Sequence, residues 1–321
     1  MKKIAVVCGG YSGESVVSMK SASMIMNHID RDKYDPVKVI ITRERWQAGV
    51  DGTEIDIDKN DFSFVHDGKK HEFDGVFIII HGTPGEDGLL QGYFDMLGIP
   101  YTTGDVFNMA LTFNKKATTR ILGQMGFLVA KSIVLRKDEP YSISFISKNV
   151  GLPCFIKPNA GGSSIGTSKV SQVDDMHRAL DKAFLEDGEV IIEEFIGGTE
   201  VTCGVIMVRG KVTALPITEI VSKKEFFDFE AKYEGASEEI TPARIPVEIA
   251  ETIQQYSEDI YHKLSCRGMI RIDYLIRQAS IYVIEVNTVP GFSEASIIPQ
   301  QAEVAGINKK ELISAVIESC F

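Results

Sequence analysis

Residues Val76-Phe77-Ile78-Ile79-Ile80 form an unbroken apolar run, far too short to span a bilayer and without the alternation of a half-exposed strand. Such a run is satisfied by a strand covered on both faces, which demands helices above and below a sheet. The flanking sequence supplies them. Ile4 to Cys8 is another apolar strand, followed by a glycine turn, an apolar-periodic stretch from Val16 to Ile29, and Val37 to Ile41. Leu89 to Leu97, stopped by Gly98, reads as the helix after Val76 to Ile80. The first part of the chain is therefore expected to be a parallel α/β unit.

A second unit is expected from Thr102: a helix through Lys115 to Met125 ending at Gly126, strands Ser132 to Leu135 and Pro153 to Lys157, a glycine-rich loop Ala160 to Gly166, a helix around Val173 to Leu185, and the strand Val190 to Phe195. Gly197-Gly198 reads as a joint. Beyond it lie Val201 to Val208, an Arg209-Gly210 turn, Val212 to Ile217, a polar loop to Pro246, a helix to Leu264, paired strands Met269 to Ile276 and Ile281 to Val286, and a closing helix. The expected fold class is α/β and α+β in three domains, 1–101, 102–196 and 197–321, a division that suits 321 residues. Ser222 to Thr241 is the candidate lid, since long loops inside compact domains are commonly functional.

Charge and cysteine usage exclude several classes. With 34 Lys and Arg against 45 Asp and Glu, the net charge of −11 opposes polyanion binding except where lysines gather on a small phosphate ligand, so nucleic acid is not an expected partner. No apolar run approaches the ~20 residues of a membrane span, and the amino terminus reads as a first strand rather than a secretory signal, so the cytoplasm is the expected location. The five cysteines never occur as C-x-x-C, which argues against a disulfide framework or structural zinc.

Arg271-Ile272-Asp273 and Glu285-Val286-Asn287 place polar residues two apart, so each pair projects from one face of its strand. If the strands form a hairpin around Gln278 to Ser280, two carboxylates and an amide oxygen converge as hard ligands suited to Mg²⁺, with Arg271 beside them to stabilise developing negative charge. Either pair alone reads equally as a solvated sheet face; the turn Asn287-Thr288-Val289-Pro290-Gly291 favours the cation reading. Lys157 precedes Gly161-Gly162-Ser163-Ser164-Ile165-Gly166, which either closes over phosphates or is a plain connection; it is not a P-loop, because Thr167 and Ser168 stand where Lys and Ser/Thr are required. Lys115 and Lys157 supply cations the loop lacks. Glu14, after Gly9-Gly10-Tyr11-Ser12-Gly13, would repel pyrophosphate; it is either a first-turn carboxylate or the acceptor of a substrate ammonium. His81 ends a strand where open α/β sheets place ligands, though a lone histidine there is more often structural.

Taken in order, these segments resemble the D-alanine:D-alanine ligases of the ATP-grasp superfamily. The resemblance runs from Gly9 to Ile297 and is carried by Gly9-Gly10 through Glu14 and Ser18, His81-Gly82 with Gly85-Glu86-Asp87-Gly88, Lys115, Lys157-Pro158 with Gly162-Ser163-Ser164-Ile165-Gly166, Glu193 to Glu200, Ala231-Lys232-Tyr233, Arg271-Ile272-Asp273, and Glu285-Val286-Asn287-Thr288 with Pro290-Gly291. It implies ATP between the second and third units, with Lys115 and Lys157 on the phosphates, Glu193 and the backbone near Glu194 and Ile196 on adenine, and Glu200 on ribose. Asp273, Glu285 and Asn287 would hold two Mg²⁺ ions, with Mn²⁺ as a substitute. Glu14 would receive the first D-alanine's ammonium, Ser163 and Tyr233 would link Glu14 to the closing loop, and His81 would lie nearby. Lys232, Ser296 and the backbone at Ile297 would receive the second D-alanine's carboxylate or the transferred phosphate, while Arg271 and the Gly291 N–H would stabilise the tetrahedral oxyanion. Expected partners are D-alanine and ATP, and the expected assembly is a homodimer.

The chain departs from the family pattern in two places. Phe292-Ser293-Glu294-Ala295-Ser296-Ile297 follows Gly291 where relatives more often have Met-Thr before Ser-Leu, and Glu194-Phe195 stands where many have Lys and Trp. The readings weighed against D-alanine:D-alanine ligation are ligation of D-alanine to D-lactate or D-serine, a non-catalytic nucleotide-binding grasp fold, and an NAD-linked dehydrogenase, whose glycine fingerprint is absent.

Overall fold

The computed structural model describes residues 1–162, 164–222 and 237–321. The amino-terminal sheet contains β1 (Lys2–Gly9), β2 (Tyr34–Ile41), β3 (Trp46–Val50), β4 (Thr53–Asp56) and, past a small hairpin of β5 (Phe64–His66) and β6 (Lys69–His71), β7 (Gly75–Ile78). Its order is β4-β3-β2-β1-β7, and β1 runs parallel to both β2 and β7. Helices α1 (Ser15–His28) and α2 (Leu89–Leu97) flank it. The run Val76 to Ile80 divides between two faces: Phe77 and Ile79 enter one core, and Val76, Ile78 and Ile80 the other. The β3–β4 hairpin was not expected; it adds two antiparallel strands, so the sheet is mixed rather than wholly parallel.

Helix α4 (Lys115–Gln124) stands where a helix was expected, and α3 (Val106–Phe113), which was not expected, precedes it. The chain breaks between them because Asn114 leaves helical geometry and caps the second, accepting from the Ala117 N–H at 2.9 Å. After the short β8 (Leu128–Val129), strand β9 (Ser132–Arg136), helix α5 (Ile143–Val150), β10 (Cys154–Pro158), β11 (Ser168–Val170), helix α6 (Met176–Phe184) and β12 (Glu189–Glu194) build an antiparallel sheet in the order β11-β10-β12-β9. Its core is distinct, with Ile156, Val190 and Ile192 packed on Ala179, Leu180 and Ala183 of α6.

The third sheet contains β13 (Thr199–Val208), β14 (Lys211–Ala214), β15 (Thr218–Ser222), β16 (Ser237–Ile240), β17 (Met269–Arg277) and β18 (Ser280–Asn287), ordered β16-β15-β13-β17-β18-β8 with β14 beside β13 among the described residues. Because β8 pairs with β18 and Leu111, Leu122 and Phe127 share a core with Ile270, Ile272 and Tyr274, residues around 106–129 pack on this sheet. Helix α7 (Val247–Lys263) covers its apolar face. Two closing helices, α8 (Ile297–Val304) and α9 (Lys309–Glu318), replace the single one expected, because Gly306 and the Asn308 cap interrupt the run. Ile298, Leu312 and Val316 from them join the core under Ile4, Val6 and Phe77, so the chain's last helices bind the first sheet to the third. Most of the candidate lid lies outside the described residues, as do Ser163, Lys232 and Tyr233. No helix among the described residues is long and apolar enough to cross a membrane.

Candidate active site

Strands β17 and β18 pair antiparallel with Arg271 opposite Asn287 and Asp273 opposite Glu285, as the two-residue spacing predicts. One detail was not legible. Ile281 and Val283 lie in the core, so simple alternation would send Glu285 and Asn287 there too. A β-bulge between the Asp273–Glu285 and Tyr274–Val283 pairs inserts Ile284 as an extra residue and turns Glu285 and Asn287 into the cleft.

Asp273 is the hub of this face. Arg271 Nε and Nη2 donate to its two oxygens at 2.8 Å each, Thr202 Oγ1 donates at 2.6 Å, and Asn287 Nδ2 at 3.1 Å. Burial alone would pull the Arg271 pKa down, but the carboxylates of Asp273, Glu285 and Glu239 outweigh it and raise it further. The donor set meets the requirements of Mg²⁺ by chemistry: two carboxylates and an amide, all hard oxygens, with neither nitrogen nor sulfur ligands alongside. It does not enclose an ion by itself, for no trio of His, Cys, Asp or Glu side chains among the described residues is grouped to hold one. Further ligands must come from phosphate oxygens and water, the usual mode for this ion.

Lys115 and Lys157 approach the same cleft from the opposite wall. Lys115 opens α4 and donates to the Gly161 carbonyl at 2.6 Å. Burial lowers its pKa, against the pull of Glu285, and the charge of Lys157 adds to the lowering. Lys157, on β10, lies 2.5 Å from Glu193 of the adjacent β12. Burial works against its charge, but Glu193 and the more distant Glu285 and Glu200 outweigh it and leave the pKa raised. Asn159 ties the base of the glycine loop to α4, accepting from the Lys115 N–H through its carbonyl and from the Lys116 N–H through its side chain. Glu194 brackets Lys131, whose N–H donates to the Glu194 carboxylate at 2.9 Å and whose carbonyl accepts the Glu194 N–H.

Glu14 precedes α1 at the carboxyl end of β1. The turn before it requires glycines: Gly9 and Gly10 hold φ of 94° and 101°, and a Cβ on Gly9 would lie 2.6 Å from the Ile41 carbonyl oxygen. Across the cleft, Gly162 passes so near that a Cβ there would lie 2.6 Å from Glu14 Oε2. His81 is buried, and its Nδ1 lies 2.8 Å from the Val289 carbonyl oxygen. A carbonyl only accepts, so Nδ1 carries the proton; Nε2 is the bare nitrogen and has no hydrogen-bond partner among the described residues. Burial holds the ring's pKa below its ordinary value. Ser296 Oγ accepts from the Ser293 N–H at 2.9 Å beside Gly291.

Glu14, His81, Lys115, Lys157, Gly162, Glu193, Arg271, Asp273, Glu285, Asn287, Gly291 and Ser296 line one cleft of about 850 Å³, together with Glu194, Ile196, Glu200 and Ile297. Every proposed site residue that the structure describes reaches it. Glu86 was not among the expected site residues: enclosure by protein, reinforced by Glu14, pushes its pKa up to about 8. Its place in the Gly82 to Gly88 loop was the available signal. Glu239, raised by burial, and Thr202 were missed as well; neither carries a sequence pattern, because distant strand pairing brings them in.

The family model described as D-ala D-ala ligase N-terminus matches residues 3–104 and that described as D-ala D-ala ligase C-terminus matches residues 121–318. A D-alanine--D-alanine ligase of Phocaeicola vulgatus is 47% identical over 322 residues, covering 100% of this chain and 99% of that one. One from Azobacteroides pseudotrichonymphae is 49% identical, covering 99% and 100%. Among solved structures, the VanG D-Ala:D-Ser ligase of Enterococcus faecalis superposes with a TM-score of 0.89 at 31% identity, covering 100% of this chain and 99% of that one. The D-alanine--D-alanine ligase of Bacillus anthracis complexed with ATP gives 0.81 at 30%, covering 100% and 97%.

Proposed function

The chain belongs to the D-alanine:D-alanine ligase family of ATP-grasp enzymes, and we propose that this cleft performs both half-reactions of that ligation at the residues described above. The observation that carries this reading is the convergence of a carboxylate–amide face on β17 and β18, two lysines on the facing wall, and Glu14 at the far end of one cleft.

ATP lies with its phosphates between Lys115 and Lys157, its base toward Glu193, Glu194 and Ile196, and its ribose at Glu200. Glu193 acts here chiefly by holding Lys157, since its carboxylate is already bonded to that ammonium. Asp273, Glu285 and Asn287 would hold Mg²⁺, which would neutralise charge on the phosphoryl group being transferred. Glu14 receives the first D-alanine's ammonium and leaves its carboxylate free to attack the γ-phosphorus, giving D-alanyl phosphate and ADP. The second D-alanine, its carboxylate at Ser296 and the Ile297 N–H, attacks the acyl carbon with its amine. The phosphate leaves, and Arg271 with the Gly291 N–H stabilises the oxyanion of the tetrahedral intermediate. His81, with a bare and neutral Nε2, is fitted to accept from an N–H of the first substrate. Lys232, Ser163 and Tyr233 keep the roles the resemblance implies. The product, D-alanyl-D-alanine, serves peptidoglycan precursor synthesis.

The same reading keeps the units 1–101, 102–196 and 197–321, with residues around 106–129 packed on the third rather than the second sheet, a cytoplasmic location and a homodimer, the last open to light scattering at micromolar concentration. The deciding experiment measures ADP release and product mass with D-alanine, D-lactate and D-serine as second substrate at neutral pH. D-alanyl-D-alanine as the dominant product supports the assignment; a preference for D-lactate or D-serine, or ATP binding without D-alanine-dependent turnover, overturns it.

A further inference from the structure

Val289 lies midway between Asn287, the last residue of β18, and Gly291, and both of its backbone hydrogen-bonding groups are taken by one loop of the amino-terminal sheet. His81 Nδ1 donates to its carbonyl at 2.8 Å, and Glu86 Oε1 accepts its N–H at 3.2 Å. The second oxygen of Glu86 accepts the Gly82 N–H at 2.7 Å, so one carboxylate joins two chain segments. The β17–β18 ladder ends at Asn287 and α8 begins only at Ile297. Between them the orientation of the peptide planes is set by contacts from outside that sheet, and Val289, itself buried, is the residue gripped on both sides.

We infer that Glu86 is a positioning residue for acyl transfer: with His81 it clasps Val289 from across the cleft and thereby aims the Gly291 N–H at the place where the oxyanion forms. Glu86 does not touch the reacting atoms. A preorganised donor is effective only when its direction is fixed before charge develops; the clasp fixes the peptide units on both sides of Val289, and Pro290, whose ring restricts its φ, carries that constraint to the unit bearing the Gly291 N–H. The clasp also ties the loop behind Glu14 to the loop behind Asn287, so the ammonium site and the oxyanion donor move as one body. This inference rests on the assignment of Gly291 to the oxyanion in the ligation reading.

Full acceptance of two N–H groups requires the ionised carboxylate. The test is therefore made at about pH 9, above the value of about 8 to which enclosure and Glu14 push this group, with Lys115 the other charged group facing it and His81 on the far side of Val289. Glu86→Gln keeps one acceptor oxygen and Glu86→Leu none. Formation of acyl phosphate is read separately from peptide formation, by D-alanine-dependent exchange of the β,γ-bridging oxygen of ¹⁸O-labelled ATP. The expected result is a graded fall in kcat for D-alanyl-D-alanine, about tenfold for Gln and more for Leu, with the exchange rate and the KM for ATP within about threefold of wild type. Peptide formation unchanged in both variants overturns the clasp, and so does a parallel fall of exchange and peptide formation accompanied by a lower melting temperature, which marks a merely structural role. A wild-type protein that makes no D-alanyl-D-alanine overturns the ligation reading instead, so the two failures are distinct.

Discussion

Arg271 and Asp273, two residues apart on one strand, meet in a bidentate pair with both contacts at 2.8 Å. The pair is asymmetric in what each partner has left. Asp273 also accepts from Thr202 and Asn287, whereas the guanidinium is enclosed, with a side-chain exposure of 19%. Arg271→Ala should therefore leave the protein folded while turnover falls by ~10²–10³, the usual cost of one oxyanion donor. Asp273→Ala should lower stability as well as activity, by about 3 kcal/mol, because the enclosed guanidinium loses both of its carboxylate hydrogen bonds and keeps Glu285 and Glu239 only as neighbouring charges. Urea unfolding of both variants beside a D-alanine-dependent ADP assay checks the contrast, and equal stability losses would contradict it.

Glu14→Gln should act on substrate binding. A hydrogen bond to a charged group contributes about 1.5–3 kcal/mol, so the KM for the first D-alanine is expected to rise roughly 10- to 100-fold with the KM for ATP little changed. Initial rates across D-alanine concentration, fitted with separate constants for the two amino-acid sites, make the comparison.

Gly162→Ala reaches the same group from the other wall. Its methyl would lie 2.6 Å from Glu14 Oε2, and the carboxylate end of Glu14, being flexible, is what gives way. Affinity for the first D-alanine should fall while the melting temperature stays within about 3 °C of wild type, which calorimetry and kinetics on one preparation can establish. A large stability loss without a change in KM would place the strain elsewhere.

Glu86 makes folding depend on pH. Its folded-state pKa of about 8 lies above the ordinary 4.5, so the folded chain holds a proton that the unfolded chain releases between those values. Stability from this group is therefore present at the acid end of that window and lost as pH rises toward 8, with a slope of at most about 1.4 kcal/mol per pH unit. His81, whose pKa is lowered by burial, contributes the opposite slope near its ordinary value. Subtracting Glu86→Gln from wild type in urea titrations between about pH 5 and 8 isolates the Glu86 contribution; a flat difference would show that the carboxyl is not shifted.

Much of the site was legible because it depends on local spacing. Arg271 with Asp273 and Glu285 with Asn287 announce their common faces, and Lys157 before a glycine run marks the end of a strand. The β3–β4 and β5–β6 hairpins were passed over although each carries an Asp-Gly turn, Asp51-Gly52 and Asp67-Gly68, in the left-handed conformation that tight hairpins require. Those strands are short and largely exposed, so the alternation that identifies a strand is weak there. Contacts such as Glu86 with Val289, or Ile298 beneath Phe77, join residues far apart in sequence and leave no periodic trace.

A regularly pleated strand offers a neighbouring cavity every second side chain. At the β18 irregularity two consecutive residues, Ile284 and Glu285, enter the cleft together, with Leu275 and Asp273 beside them on β17. The floor therefore changes from hydrocarbon to carboxylate between adjacent positions. ATP changes character in the same direction, from an aromatic base to a polyanion that needs cations. A single inserted residue thus sets an apolar side chain next to a charged one on the same wall of the cleft.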